Sequence, residues 1–266
     1  MIPKKIHYCW FGGKPKPEII EKCIASWRKS CPDWEIIEWN EQNYDVSKFA
    51  YTNEAYHAKQ WAFVSDVARL DVVFSHGGIY LDTDVELVSS VDSWLESSAF
   101  FFWETEINIA SGLGFGAKKN HPSVRAMLDH YTDRHFVING VNDFTPCPAA
   151  NTAALRTIYP NIVRNGKTQV VGDIQVFSSA EYTQCAKHYG TGLWGDGPRS
   201  KKSNYRYKGS KLKQWLKQSE KFEVVQKFFG DKGLKLYIFL VYDLPERGVV
   251  YFLKRLFWKL KKKRER

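Results

Sequence analysis

The sequence lacks any uninterrupted apolar run of the roughly 20 residues that a membrane-spanning helix needs. Its cysteines are few and odd in number, five in all, and none forms a C-x-x-C pair or another short zinc-binding pattern. The opening residues also lack the pattern of a secretory signal peptide. These absences disfavour a spanning helix and a short zinc motif, and we expect the chain to lie in a reduced, cytoplasmic compartment.

The sequence does contain alternating strand-like and helix-like segments, which are typical of an open α/β sheet. Its 266 residues, 44% of them hydrophobic, suffice for one main domain, which we place at residues 1–198. The predicted strands are 4–11, 34–39, 78–81 and 99–104, and the predicted helices are 17–29, 54–75, 121–134 and 151–159, with His76 and Asn151 as helix caps.

Two carboxylates, Asp82 and Asp84, follow the apolar run 78–81. Residues two apart in a strand point to the same face, so both side chains are able to meet on one divalent cation. The preceding helix carries Asp66 and Arg69 three residues apart, hence on one face. This context favours a metal site over the competing interpretation, an acidic surface turn with a weak, exposed ion pair between Asp66 and Arg69.

The residues from Ser65 to Asp84 read Ser-Asp-x-x-Arg and then His-Gly-Gly-Ile-Tyr-Leu-Asp-x-Asp. This order resembles glycosyltransferase family 32, which has a sugar-binding region with a DXD motif and includes relatives of bacterial capsule and lipopolysaccharide transferases. The segment Ile2–Gly13 is similar to the family's opening strand. The resemblance is specific over residues 1–90, loose over 91–198 and absent beyond. It implies a GT-A type open mixed sheet flanked by helices, and retention of anomeric configuration.

The same resemblance implies a role for each matching residue. Trp10 would stack on the donor nucleobase, although it could equally fill the core. Asp66 and Arg69 would bind the donor sugar and its phosphate. Asp84 would ligate the metal directly, and Asp82 would reach the metal, the ribose or the sugar. Together they imply four catalytic residues, which are Asp66, Arg69, Asp82 and Asp84.

His188 matches a family histidine and is the third expected metal ligand, after Asp84 and Asp82. Family members follow that histidine with Ser-Trp, whereas this sequence has Leu193 and Trp194. The implied cofactor is Mn²⁺ or Mg²⁺, and the implied donor is a nucleotide-sugar, with UDP preferred over GDP. Further candidates for contacts with sugar hydroxyls, which no spacing selects, are Asn108, Ser111 and Asn151.

Charge is divided unevenly along the chain. Residues 199–266 contain 21 Lys and Arg against 6 Asp and Glu, a net charge of +15, whereas residues 1–198 carry −5. Within 248–266 the apolar residues recur at helical spacing between basic ones. We therefore expect a basic, helical C-terminal extension that anchors on an anionic membrane surface, or alternatively packs on the domain. A nucleic-acid partner is not expected, because no binding module is recognisable.

These observations predict a metal-dependent retaining glycosyltransferase, peripheral on the cytoplasmic face of the membrane. It would transfer a sugar to a lipid-linked oligosaccharide in capsule or surface polysaccharide synthesis. One alternative is a magnesium-dependent phosphotransferase with Asp82 as nucleophile, although Val85-Glu86-Leu87 follows the carboxylates in place of a small pair. The other is a non-catalytic membrane-binding adaptor, which the intact pattern of acidic and basic residues disfavours.

Overall fold

The computed structural model describes residues 1–138 and 140–192, so the expected C-terminal extension and the boundary near residue 198 lie outside the described residues. The strands in chain order are β1 (Lys5–Cys9), β2 (Glu35–Trp39), β3 (Gly78–Tyr80), β4 (Val85–Leu87), β5 (Ala99–Phe102), β6 (Phe115–Ala117), β7 (Val137–Ile138), β8 (Val141–Asn142), β9 (Gln169–Val171), β10 (Ile174–Phe177) and β11 (Ala186–His188). The helices are α1 (Glu18–Ser30), α2 (Ala50–His57), α3 (Trp61–His76), α4 (Pro122–Asp129), α5 (Cys147–Ile158) and α6 (Ser179–Cys185).

Seven strands form the main sheet, in the order β2-β1-β3-β6-β5-β10-β9. Strand β1 is parallel to β2 and β3, and β10 is parallel to β5. Strand β6 is antiparallel to both β3 and β5, so β3 and β5 run in the same direction. The carboxyl ends of β1, β2, β3, β5 and β10 therefore meet at one edge of the sheet. The predicted open mixed sheet flanked by helices is confirmed.

The sheet separates two apolar cores because successive side chains in each strand point to opposite faces. In β5, Phe101 joins the core that contains α3, whereas Phe100 and Phe102 join the core that contains α1. Both faces are covered, which explains why this strand is apolar throughout. In the part of the chain that the structure describes, no helix has the length and hydropathy required to cross a membrane.

The predicted single helix over 54–75 is wrong, because the chain forms α2 and α3 with a break between them. Lys59 has a positive φ of 56°, and its N–H donates to the Tyr56 carbonyl. The N–H of Gln60 donates to the Ala55 carbonyl and closes the end of α2. No glycine or proline marks this position in the sequence. The helical spacing of the apolar residues therefore predicts one continuous helix.

The predicted N-cap at Asn151 is also wrong, whereas His76 lies in the last turn of α3, at the helix end where the sequence predicts it. The C-cap residue is Gly77, which has a φ of 66° and donates its N–H to the Val73 carbonyl, as is usual at helix C-termini. Asn151 lies inside α5, which begins four residues earlier with Pro146 as its N-cap. The helix predicted to reach residue 134 ends at Asp129.

His7 is a buried histidine in the middle of β1, with 0% of its surface exposed. The indole N–H of Trp39 donates to its Nδ1 at 3.1 Å, so this nitrogen is unprotonated and Nε2 carries the hydrogen. Nε2 in turn donates to the Gly77 carbonyl at 2.8 Å. Burial lowers the pKa of His7 to about 4, despite the opposing effect of the bond to Gly77.

We expect the free energy of unfolding to decrease as the pH falls from about 6.5 to about 4, by at most about 3 kcal/mol. The sign follows because the unfolded chain, with an ordinary histidine pKa of about 6.5, binds this proton more readily than the folded protein does. Urea unfolding between pH 7.5 and 4.5 measures the slope. An NMR titration in which the His7 ring protonates near its ordinary pKa would contradict this prediction.

Candidate active site

The two carboxylates of the DXD motif lie at the edge of the sheet where β3 ends. The strand stops at Tyr80, and the N–H of Val85 donates to the Asp82 carbonyl at 3.0 Å, which closes a turn. Asp82 and Asp84 are therefore held by a turn that follows the strand. Strand β4 follows directly and pairs antiparallel with β11, which sets His188 opposite Val85.

This pairing brings together the three expected metal ligands, although 104 residues of sequence separate His188 from Asp84. One donor atom from each of Asp82, Asp84 and His188 lies within 4.8 Å of the other two. Two carboxylates and one imidazole are suitable ligands for a divalent cation such as Mn²⁺ or Mg²⁺. The residues present thus fit the implied metal, and the remaining positions would go to water or a phosphate-bearing ligand.

Asp84 is oriented by two neighbours. His188 Nε2 lies 3.2 Å from its Oδ1, and Thr191 donates to its Oδ2 through the backbone N–H at 2.8 Å and the hydroxyl at 3.0 Å. Burial alone would raise the pKa of Asp84, but the hydrogen bonds from His188 and Thr191 outweigh it and lower this pKa. The hydrogen bond with Asp84 raises the pKa of His188, against the effect of burial. Asp84 is therefore an ionised carboxylate at neutral pH.

Arg69 supplies the positive charge beside these carboxylates. Its guanidinium donates through Nη2 to Asp66 Oδ1 at 2.6 Å, and its Nη1 lies 3.6 Å from Asp82 Oδ1. Nε donates to the Ser65 carbonyl at 3.0 Å. Only 5% of Arg69 is exposed, so the alternative of a weak, exposed ion pair with Asp66 is wrong. Burial would lower the pKa of Arg69, but the charges of Asp82 and Asp66 hold it well above the ordinary value.

Asp82 is the less strongly ionised of the two motif carboxylates. Burial raises its pKa, and the nearby Arg69 charge offsets only part of this effect. The hydroxyl of Tyr80 donates to its Oδ1 at 3.1 Å. A Cβ at Gly112 would collide with Asp82 Oδ2, so this glycine is needed for a close approach to the carboxylate.

Trp10 follows β1, the strand next to β3, and is half-buried at the same edge of the sheet. Its indole N–H donates to the Lys14 carbonyl at 2.6 Å, and the Lys16 ammonium lies 5.9 Å from its ring. The ring lines a shallow pocket with Glu38 and neighbouring residues. The adjacent Phe11, in contrast, is a core residue. The stacking role of Trp10 stays a prediction.

Sequence reasoning missed Thr191 and Cys147, which contact Asp84 and Asp66 respectively. Neither lies in a motif, and only the pairing of distant segments brings them to the site. The three further candidates for sugar contacts, Asn108, Ser111 and Asn151, are buried. Leu193 and Trp194 lie outside the described residues.

Comparison with known proteins agrees with this geometry. Residues 17–101 match the model of a family described as a glycosyltransferase sugar-binding region containing a DXD motif. Two curated relatives are the inositol phosphoceramide mannosyltransferases 1 and 3 of Schizosaccharomyces pombe, at 26% identity over 128 residues and 30% over 131. Each alignment covers 46% of this chain, but only 40% and 35% of the respective relative.

Solved structures resemble the chain more weakly. The PaToxG glycosyltransferase has a TM-score of 0.45 and 19% identity, covering 60% of this chain and 70% of that one. A glycosyltransferase involved in glycosylation of the major capsid of PBCV-1 has a TM-score of 0.39 and 10% identity, covering 70% and 94%. Similarity at this level carries no argument about substrates.

The matched stretch contains Asp66, Arg69, Asp82 and Asp84, the same residues that converge at the sheet edge. Over residues 17–101 the chain is therefore similar to the sugar-binding region of glycosyltransferases with a DXD motif. This match and the two mannosyltransferase relatives make it similar to glycosyltransferase family 32.

Proposed function

We propose that this protein transfers a sugar from a nucleoside diphosphate donor to a glycan acceptor, with Mn²⁺ or Mg²⁺ as cofactor. One observation supports this most strongly. The ligand atoms of Asp82, Asp84 and His188 lie within 4.8 Å of one another, with the buried Arg69 guanidinium beside them. A diphosphate leaving group develops negative charge, and a fixed guanidinium beside a bound cation would stabilise that charge.

Each residue then has a defined task in the transfer. Arg69, held by Asp66 and the Ser65 carbonyl, presents Nη1 toward Asp82 and the leaving diphosphate. Asp66 accepts a hydrogen bond from a hydroxyl of the donor sugar and thereby orients the reacting carbon. The divalent ion, when bound, supplies Lewis-acid stabilisation of the diphosphate, worth several kcal/mol. We propose that the anomeric configuration is retained.

For the donor we propose a UDP-sugar, with a GDP-sugar as the alternative. The shallow pocket beside Trp10 supports a base-stacking position, since the ring lies at the end of the strand next to the DXD strand. Base–aromatic stacking contributes about 1–3 kcal/mol and suits any base, so it does not choose the nucleotide.

For the acceptor we propose a membrane-lipid-linked glycan in capsule or surface polysaccharide synthesis, at the cytoplasmic face of the membrane. The names of the two relatives include a lipid, inositol phosphoceramide, which supports a lipid-borne acceptor. The net charge of +15 over residues 199–266 supports binding to an anionic membrane surface.

The intact chain should co-float with phosphatidylserine vesicles and not with phosphatidylcholine vesicles. Equal recovery with both kinds of vesicle would refute this membrane proposal.

The experiment that tests the activity is hydrolysis of a panel of UDP-, GDP- and CDP-sugars by the intact protein, with Mn²⁺, with Mg²⁺ and with EDTA. We expect one nucleotide class to be released, only in the presence of metal. Release that is equally fast in EDTA would refute the metal dependence. No release from any donor, together with phosphate release from a phosphate ester, would instead favour the phosphotransferase.

A further inference from the structure

A chain of buried polar side chains leads from the interior of the domain to Asp66. Asn151 Nδ2 donates to Ser111 Oγ at 3.1 Å, and Ser111 Oγ lies 3.8 Å from Cys147 Sγ. Cys147 Sγ donates to Asp66 Oδ1 at 3.4 Å. Asn151, Ser111 and Cys147 are all buried. None of them belongs to the DXD motif or to the cation ligands.

The hydrogen bonds in this chain all run in one direction. The Asn151 amide is a donor at Nδ2, which leaves the Ser111 hydroxyl to donate toward the Cys147 sulfur. The thiol of Cys147 then has its hydrogen free for Asp66 Oδ1. Burial and the nearby Asp66 charge raise the pKa of Cys147, so it is a protonated donor and not a reactive thiolate.

Asp66 is consequently held through one oxygen only. Oδ1 accepts from both Cys147 and Arg69 Nη2. Among residues 1–138 and 140–192, no group donates a hydrogen bond to Asp66 Oδ2. A carboxylate fixed by two donors at one oxygen presents the other in a defined direction, which suits the recognition of one sugar hydroxyl.

We propose that the thiol of Cys147, supported by Ser111 and Asn151, is a positioning group that fixes the Asp66 carboxylate for the donor sugar. This inference rests on the proposed function. It assigns the Cys147 side chain to recognition of the sugar and not of the nucleotide, because its contact is with Asp66 and not with Asp84 or Trp10. Loss of the thiol should therefore affect the sugar-bearing donor much more than the free nucleoside diphosphate, because Arg69 keeps its hydrogen bond to the Ser65 carbonyl.

The test compares Cys147→Ala, Cys147→Ser and the control Cys31→Ala in the full chain. Cys31 is also buried but lies in the core that contains α1. The probes are the panel donor that the wild type hydrolyses fastest and the matching free nucleoside diphosphate. We expect Cys147→Ala to lower kcat/KM for the donor roughly tenfold, while its affinity for the nucleoside diphosphate stays within about twofold of the wild-type value. Cys147→Ser should recover most of the loss, since a hydroxyl also donates to Asp66.

Two results would overturn the inference. One is wild-type kcat/KM in Cys147→Ala. The other is a loss of kcat/KM and of Tm that is the same in Cys147→Ala as in Cys31→Ala and that Cys147→Ser does not rescue. Cys147 would then contribute only to packing. A wild-type protein that hydrolyses no nucleotide-sugar would refute the proposed function, and this inference with it, whereas an active wild type with an insensitive Cys147→Ala refutes this inference alone.

Discussion

Asp84→Asn is expected to reduce metal-dependent hydrolysis of the donor by about 1000-fold, equivalent to about 4 kcal/mol of transition-state stabilisation. The substitution preserves the shape of the side chain but removes its negative charge. An amide oxygen at this position would still accept a hydrogen bond from Thr191, so the turn that ends at β4 should persist. The effect should appear in kcat and in the metal concentration required for half-maximal rate.

The control for this prediction is Asp129→Asn. Asp129 is an exposed carboxylate at the end of α4 that pairs with Arg125, remote from the three cation ligands. We expect its variant to retain the wild-type rate and metal requirement. A hydrolysis rate for Asp84→Asn within about threefold of that of Asp129→Asn would show that the Asp84 charge takes no part in the reaction.

Two substitutions of Arg69 should separate its contribution to activity from its contribution to stability. Arg69→Ala leaves Asp66 and Asp82 without their cation in a buried setting, and we expect a loss of about 3 kcal/mol in the free energy of unfolding. Arg69→Lys keeps the positive charge but loses the planar guanidinium, which donates to both the Asp66 carboxylate and the Ser65 carbonyl. This variant should remain folded and lose about 100-fold in kcat/KM, or about 2.7 kcal/mol.

Urea unfolding and steady-state hydrolysis, measured on the same preparations, check both parts. Arg125→Lys is the matched control, because Arg125 is exposed and pairs with Asp129 on the surface. We expect that control to change neither stability nor rate. A wild-type kcat/KM in Arg69→Lys would mean that a point charge suffices, and that the fixed guanidinium geometry is unimportant.

How much of the site is predictable from sequence depends on how far apart its residues lie. Asp66, Arg69, Asp82 and Asp84 fall within one short stretch, where helix periodicity and a strand end place them together. His188 was expected only from family resemblance, and the pairing of β4 with β11 explains its position. That pairing is a long-range contact which no local pattern encodes.

The missed residues share this cause. Thr191 reaches Asp84 across 107 positions of sequence, and Cys147 reaches Asp66 across 81. The residue type of Asn151 favours a helix cap, so the sequence predicts it at that position. In the structure its amide instead serves Ser111 in the interior. Residue-type preference thus does not predict the position of a polar residue whose side chain is hydrogen-bonded within a buried network.

The fold shows the same division. The apolar residues of β1, β2, β3 and β5 predict these four strands, whereas β6, β9 and β10 were not predicted. The break at Lys59 was missed because its backbone conformation has no glycine signature. The direction of β6, antiparallel between β3 and β5, likewise depends on long-range pairing. Only the assembled sheet reveals which strand ends share an edge.

The most direct measurement is Mn²⁺ binding to the intact protein, followed by electron paramagnetic resonance with and without a nucleoside diphosphate. We expect one Mn²⁺ per chain, tighter binding when UDP or GDP is present, and loss of that binding in Asp84→Asn but not in Asp129→Asn. Two results would contradict the assignment of Asp82, Asp84 and His188 as a cation site. One is a wild-type protein that binds no Mn²⁺ under either condition. The other is an Asp84→Asn variant that binds Mn²⁺ as tightly as the wild type does.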